Sequence, residues 1–578
     1  MTQTRPELVG SFGMVASTHW LASAAGMSVL ERGGNAFDAA VAAGFVLQIV
    51  EPHLNGPGGD LPALVWSEAD GAAHVVCGQG VAPAAATIDA FGALGLTLVP
   101  GTGLLAATVP GAFGAWTLLL ERWGTWELDE VLAYALYYAE TGFPLLPRVA
   151  LTIAALAPMF TEHWGPSART WLVDGSAPAP GTIWRSPAIA ATYRRLLASA
   201  SGSTREQRIA SVREAWYRGF VADEIDAFCR TAWRDTSGRE HAGLLTADDL
   251  ARWSPSVEEP MRIDYGGRYE ICKTAAWGQG PVLLQQLRLL EALGIADVPV
   301  RSERWVHYIV EAAKLAFADR EAWYGDADDV PLDALLSRSY ANERGALVGD
   351  AASLELRPGS PDRRTARLPS MPDASAAVPG VGEPTRGDTC HVDVVDRWGN
   401  LVSATPSGGW LQSSPVVPSL GFPLGTRAQM FVLEAGFANS LRPGVRPRTT
   451  LSPSLAFRDG EPWLAFGTPG GDQQDQWQLP FLLDVLHGGA NLQAAIDAPT
   501  FHTNALRSSF YPRAVAPGEV EIEDRFAADV LDGLRPRGHR LVVQGGWTLG
   551  RLSAVAREGA VRKAAANPRG VQGYAVGR

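Results

Sequence analysis

The sequence predicts an α+β protein, and three observations carry that reading. Apolar residues recur at helical spacing over two long stretches, Ser17 to Val50 and Trp305 to Trp323. Strand–turn–strand patterns concentrate in the last third, opening at Thr389 and again at Pro453. The 62 glycines and 40 prolines exceed an average share and call for many turns between these elements.

In chain order, Leu21, Ala24, Ala25, Met27 and Leu30 mark one packed helix. A break follows at Gly33-Gly34-Asn35, and a second helix runs from Ala36. Residues 55–59, Asn-Gly-Pro-Gly-Gly, force a tight loop before an apolar strand from Leu61 to Trp66. Gly101 to Leu120 carries no charge over 20 residues, but its four glycines and Pro110 favour a loop running into a buried helix over a membrane span. From about Trp126 to Val348 the pattern is mostly amphipathic helix. Residues 354–387 then hold five prolines between Pro358 and Pro379 and few large apolar side chains, the composition of a linker or mobile strap. Directly after it, residues 389–396 alternate in character, Arg397-Trp-Gly-Asn400 makes a turn, and Leu401 to Thr405 reads as the return strand. Pro453 to Phe457, the Asp459-Gly460 turn and Trp463 to Phe466 form a second hairpin, and Leu479 to Leu486 a helix beyond it.

At 578 residues the chain has room for several domains or one heavily decorated core, and 46% hydrophobic with 19% charged residues is a soluble globular balance. A net charge of -12 without a basic run argues against nucleic acid. Cys77, Cys229, Cys272 and Cys390 are far apart and form no CxxC pair, so neither a disulfide scaffold nor a zinc ribbon is indicated and a reduced, intracellular setting is expected. No basic start followed by a long apolar run opens the sequence, so no signal peptide is read and a cytoplasmic setting is expected. The sequence has no GxxxxGK[ST], HExxH or GxSxG motif, and its ten histidines are scattered, so no cofactor and no metal is expected.

What remains is the junction between a loose strap and a strand that opens on threonine. A threonine hydroxyl is a poor nucleophile unless a base lies beside it. A free α-amine on the same residue, with a pKa of about 7.7 to 8.0, is such a base. Freeing that amine requires the bond between Asp388 and Thr389 to break, and the Thr389 hydroxyl can itself attack the Asp388 carbonyl. Gly387 allows the backbone the unusual geometry this needs. Gly470 and Gly471, at a strand-to-helix turn, could offer backbone N–H groups to an oxyanion. Either motif alone is common in ordinary turns.

Several motifs in order resemble the gamma-glutamyltransferase family along nearly the whole chain. They include Gly33-Gly-Asn-Ala-Phe-Asp38, Glu51-Pro52, Val109-Pro-Gly111 and Glu311-Ala-Ala-Lys-Leu-Ala-Phe-Ala-Asp-Arg320. After the strap come Gly387-Asp-Thr-Cys-His391, Arg446-Pro-Arg-Thr-Thr-Leu-Ser-Pro453 and Gly467-Thr-Pro-Gly-Gly471. The resemblance implies a four-layer αββα N-terminal-nucleophile hydrolase fold built from one self-cleaving precursor. Residues 1–388 would form the large fragment and 389–578 the small one, and the two would associate. Carried over by position, Thr389 is the nucleophile, Gly470 and Gly471 supply the oxyanion hole, and Ser407 places a hydroxyl by the threonine amine.

Departures concentrate where the family holds its glutamyl group. Gln79 stands where an arginine is expected, Gly409 where an asparagine is, and the acidic partner of the substrate amine falls near Met430. The paired serines are Thr449 and Thr450, which keep hydroxyls. Trp410, Arg427 and the run from Asp472 to Trp477 are fresh candidates for substrate contact, Arg427 having a structural role as its alternative. Cys390, which alternation points away from Thr389, reads as packing, and His391 as a support of the strand. The resemblance implies a hydrolase or acyltransferase acting on an amide of a small molecule, with gamma-glutamyl compounds as the family default. The alternative is a specialised acylase or biosynthetic enzyme cleaving an oxamate-like, glutaryl-amide or C–C bond, and a third reading is an uncleaved binding protein.

Overall fold

A computed structural model of the chain describes residues 3–371 and 389–578. Fourteen strands build its centre. In chain order they are Leu8–Gly10 (β1), Met14–Ser17 (β2), Leu61–Ser67 (β3), Ala72–Gly78 (β4), Ser256–Glu258 (β5), Met261–Tyr265 (β6) and Tyr269–Lys273 (β7), followed by Val392–Val395 (β8), Leu401–Ala404 (β9), Ser454–Arg458 (β10), Glu461–Gly467 (β11), Ser553–Glu558 (β12), Val561–Ala566 (β13) and Tyr574–Gly577 (β14). One seven-stranded sheet has the order β14-β2-β8-β9-β3-β4-β5, the other β1-β13-β12-β11-β10-β7-β6. Neighbours in both sheets run antiparallel.

Strand alternation turns this pair of sheets into four layers. In β3, Leu61, Ala63 and Val65 pack against helices Trp20–Glu31 (α1) and Ala36–Val50 (α2), while Leu64 faces the other sheet. Helix α2 starts where the glycine break ends: the Asn35 side chain accepts from Phe37 and Asp38 N–H, and Asp38 returns the bond. Across the second sheet lie helices Gly280–Ala292 (α3), Glu303–Trp323 (α4) and Gln474–Leu486 (α5). Between the sheets, Met14, Leu64, Val75, Cys272, Leu455 and Val555 close a thinner core.

The two parts of the chain interlock. In the first sheet β8 and β9 lie between β2 and β3, and in the second β10 to β13 lie between β1 and β7. Fragments 1–388 and 389–578 could separate only by breaking backbone ladders in both sheets.

The helices, the strand after the glycine loop and both hairpins fall where the sequence places them, the helix expected at Leu479 starting earlier, at Gln474. Asp459 and Gly460, with φ of 55° and 84°, make the turn of the second hairpin. Gly101 to Leu120 is a loop with a 3-10 turn, Leu104–Ala106, entering helix Ala112–Trp123. Among the described residues no helix is long and apolar enough to cross a membrane.

The middle of the chain departs from expectation. Besides helices it contains β5, β6 and β7, short strands at one end of each sheet, and in β6 only Ile263 and Tyr265 are buried. The described part of the proposed strap, 354–371, has no regular element beyond a 3-10 turn at Pro361–Arg363, yet it is tied down. Gly359 N–H donates to Asp319 at 2.6 Å, and Trp323 Nε1–H donates to Gly359 O at 3.0 Å. The rest of the strap and Asp388 lie outside the described residues.

His307, Glu311 and His539 also meet in the helical layer. The two imidazoles bond each other at 2.8 Å and Glu311 pairs with Lys314, while His539 Nδ1 is buried with no hydrogen-bond partner among the described residues.

All four cysteines are buried and unbridged, and burial pushes Cys77 and Cys229 up to about 12. The native protein should therefore resist a disulfide reagent such as dithionitrobenzoate at pH 8 and release four thiols only on denaturation. Fast release of even one thiol from the native protein would contradict this burial.

Candidate active site

Thr389 sits just ahead of β8, bridged to Ser407 in the extension of the neighbouring strand, and Ser407 is bridged in turn to Asp60 just ahead of β3. Asp60 N–H donates to Ser407 O at 2.8 Å and Ser407 N–H to Asp60 O at 3.0 Å. Leu61 pairs with Gly78, so Gln79 continues the row one strand further on. Thr389, Ser407, Asp60 and Gln79 thus line one end of the first sheet, at about 4.8 Å per strand. Alternation sends their side chains one way. Cys390, Val392, Val394, Ala404 and Leu61 pack on the helical side, which turns Thr389, Ser407 and Asp60 toward the second sheet.

The Thr389 Oγ1 lies 3.2 Å from Ser407 Oγ and 3.4 Å from the Gly470 carbonyl oxygen. Gly470 and Gly471 come from the turn between β11 and α5. Gly470 has φ of 122°, and a Cβ there would lie 2.8 Å from the Trp477 ring. A Cβ on Gly471 would lie 2.6 Å from Phe510. Both glycines are buried, and among the described residues neither N–H is donated to a protein acceptor. Buried N–H groups rarely go unclaimed, and two of them in one turn beside a hydroxyl suit an oxygen that carries developing negative charge.

Polar contacts hold this hydroxyl in register. His391, the next inward residue, bonds Thr405 Oγ1 and Asp393 Oδ1, both at 2.9 Å, and Asp393 Oδ2 accepts from Ser553 across the sheets at 2.7 Å. Gly467 leaves room for that ring, since a Cβ would come within 2.2 Å of it. Cys390 points the other way and lies 3.0 Å from Glu51, whose carboxylate also accepts from Thr18 at 2.6 Å. Burial, reinforced by Glu51, raises the Cys390 thiol well above its ordinary value. Cys390 is thus more than filler, and its contact with Glu51 helps set the strand.

The substrate-contact candidates divide into two groups. Arg427 is not free to take a carboxylate, because Asp60 already grips it in a two-pronged pair at 2.7 and 2.8 Å. Asp472 is likewise turned inward, where Arg320 binds it and Ser509 donates to it from N–H at 2.8 Å and Oγ at 2.6 Å. Both charged side chains position their neighbours. Gln79 is buried at the far end of the row, making one long contact, Nε2 to Gly80 O at 3.5 Å, and it borders a cavity of ≈ 570 Å³ with Glu258, Asp326 and Arg446.

Thr449 bridges Gly278, and its Oγ1 accepts from Leu451 N–H at 3.3 Å. Thr450 Oγ1 is buried with no hydrogen-bond partner among the described residues. Gln474 joins their segment to the glycine turn, accepting from Ser452 N–H at 3.0 Å and donating to Gly470 O. Gly409 has φ of 62°, and a Cβ there would lie 2.8 Å from Gly59 N. Asparagine tolerates that dihedral, so the close backbone of Gly58 and Gly59 is what excludes it. Trp410 follows directly, donating Nε1–H to Leu54 O at 2.7 Å, and packs with Met430 and Phe510 in a small cluster of their own. Phe510 carried no signal in the sequence. It reaches the site because Asp472 holds Ser509.

An αββα sandwich that presents a threonine ahead of an inner strand is the architecture of N-terminal-nucleophile hydrolases. The gamma-glutamyltranspeptidase family model matches residues 22–577, and the chain belongs to that family of enzymes. It is 30% identical to the glutathione hydrolase proenzyme of Bacillus subtilis strain 168 over 549 residues, 92% of this chain and 86% of that one. Among solved structures, LmbA2991HD is 55% identical with a TM-score of 0.95, covering 100% of both chains. The cephalosporin acylase of Bacillus halodurans is 31% identical with a TM-score of 0.82, covering 100% of this chain and 97% of that one.

Proposed function

We propose that the chain cuts itself between Asp388 and Thr389, and that Thr389 then transfers the acyl group of a small molecule to water or to an acceptor amine. The observation that carries this reading is the Thr389 hydroxyl, 3.4 Å from the Gly470 carbonyl oxygen, at a turn whose buried Gly470 and Gly471 N–H groups no acceptor among the described residues claims. In the first stage Thr389 Oγ attacks the Asp388 carbonyl, the C–N bond breaks, and the acyl group moves to oxygen as an ester. Water then cleaves that ester, leaving a carboxylate on Asp388 and a free amine on Thr389. In turnover that amine takes the proton from Oγ as the hydroxyl attacks the substrate carbonyl. The oxyanion settles on the glycine N–H groups, the leaving group departs with a proton, and water or an amine releases the acyl group.

The surroundings favour an acyl group other than gamma-glutamyl. With Gln79 and Met430 in place of an arginine and an acid, two charge-assisted contacts of about 1.5 to 3 kcal/mol each are missing. Together they amount to roughly 10²- to 10⁴-fold in kcat/KM. Arg427 does not replace them, since Asp60 neutralises it. Relatives that include a glutathione hydrolase and a cephalosporin acylase indicate that this family accommodates unlike acyl groups. The four unbridged thiols support a reducing, cytoplasmic setting.

Denaturing electrophoresis of the purified protein tests self-cleavage. Two bands are expected, corresponding to residues 1–388 and 389–578, with Thr389 as the first residue on amino-terminal sequencing of the smaller one. A full-length band that persists on long incubation would sink the proposal.

A further inference from the structure

We infer that Trp410, Met430 and Phe510 form one wall of the acyl pocket and select a flat, uncharged, apolar or conjugated acyl group. This inference rests on Thr389 being the nucleophile. The three side chains belong to none of the four larger cores of the molecule. They meet where the two halves of the catalytic apparatus approach each other. Trp410 is three residues past Ser407, in a segment whose direction is fixed by the left-handed Gly408 and Gly409 with φ of 76° and 62°. Phe510 lies against Gly471 from the opposite side, and the two rings are 6.4 Å apart at a tilt of 38°. Met430 fills the third side from the short 3-10 turn Arg427–Met430.

Chemistry at the edge of this cluster matches an uncharged ligand. Two guanidiniums lie at this edge and both are engaged: Arg427 stacks 5.7 Å from the Trp410 ring and is held by Asp60, while Arg513 donates to the Met430 and Phe431 carbonyls and lies 4.0 Å from Glu321. A zwitterionic acyl group would have to shed water against three apolar side chains without a free counter-charge, which is costly. A flat apolar group would gain by burial and by offset stacking on the two rings.

Asp472 acts as a positioning residue for the wall. Its contacts to Ser509 set Phe510 on the glycine turn, so the oxyanion donors and the specificity surface are fixed by one carboxylate.

The test uses the processed two-fragment enzyme and three anilides carrying cinnamoyl, glutaryl or gamma-glutamyl groups, with acylation of the small fragment followed by intact mass. Cinnamoyl anilide should give the highest kcat/KM. Phe510→Leu and Met430→Asp should each lower the cinnamoyl to gamma-glutamyl ratio by about tenfold or more, mainly through KM for the cinnamoyl probe. Met430→Leu, which keeps an apolar side chain of similar volume, should hold that ratio close to the parent value. Adducts on Thr389 that form fastest with the gamma-glutamyl probe, or a ratio that both Phe510→Leu and Met430→Asp leave unmoved, would overturn the wall while leaving the nucleophile in place. No adduct on Thr389 with any of the three probes would bring down the nucleophile and the wall together.

Discussion

Thr389→Ala should yield a single uncleaved chain and lower acyl transfer by about 10³-fold or more, the loss expected when a covalent nucleophile is deleted. Two functions disappear with one oxygen. The hydroxyl is the group that would attack the Asp388 carbonyl, so without it the base needed for turnover, the Thr389 amine, is never released. The fold should survive the change, because the hydroxyl's bonds to Ser407 Oγ and Gly470 O are long, at 3.2 and 3.4 Å. Far-ultraviolet dichroism and an unchanged urea midpoint would establish that survival. Thr389→Ser keeps the hydroxyl without the methyl group that restricts its rotamers, and should cleave more slowly but still reach two bands. Cleavage of Thr389→Ala at the parent rate would falsify the assignment of this oxygen as the nucleophile. Ser407→Ala should be intermediate, since it removes only the hydroxyl neighbour, and a loss of about 10- to 100-fold in kcat with both bands present is expected.

Much of this site was legible in the sequence because its parts are local. A strand that opens on threonine, a Gly-Gly turn after a hairpin and a helix that starts after the Gly33-Gly34-Asn35 break each sit within a dozen residues, and each lies where its pattern placed it. What the sequence concealed was pairing at long range. Strands β2 and β14 are only four residues each, with Met14 opposite Gly577, so neither carries enough alternation to be read alone. Phe510 was hidden for a related reason. Its place depends on Ser509 bonding Asp472 over 37 positions of chain, and a lone phenylalanine in a loop gives no sign of that. Arg427 and Asp472 show the converse limit. A charged residue near a catalytic motif looks like a ligand contact until its partner is known, and here the partners are Asp60, Arg320 and Ser509.

Glu321→Gln should destabilise the protein by about 3 to 5 kcal/mol, the usual outcome when one member of a buried charge cluster is removed and the others stay. Glu321 accepts from Arg448 at 2.6 Å and from Arg320 at 3.0 Å, with Arg513 at 4.0 Å, all of them buried. Burial alone would raise its carboxyl, but Arg448, Arg320 and Arg513 outweigh it and hold the group at about 2. Burial likewise pushes Arg448 down to about 10, against the pull of Glu321. Because the folded value lies below the ordinary 4.5, the stabilisation is fully present above about 4.5 and is lost as the pH falls from there toward about 2. Urea midpoints of the parent and Glu321→Gln should therefore differ most at pH 7 and converge in acid. A gap that stays constant from pH 7 to pH 3 would mean that packing, and not charge, sets the loss. The effect also reaches the site, because Arg320 binds Glu321 and Asp472 at once. Loss of the Glu321 charge leaves Arg320 with Asp472 as its one carboxylate partner beside Gln279 and the Arg507 carbonyl, and through Asp472 and Ser509 that slack passes to Phe510 and the Gly471 turn. Acyl transfer by Glu321→Gln should accordingly fall even at temperatures where the variant remains fully folded.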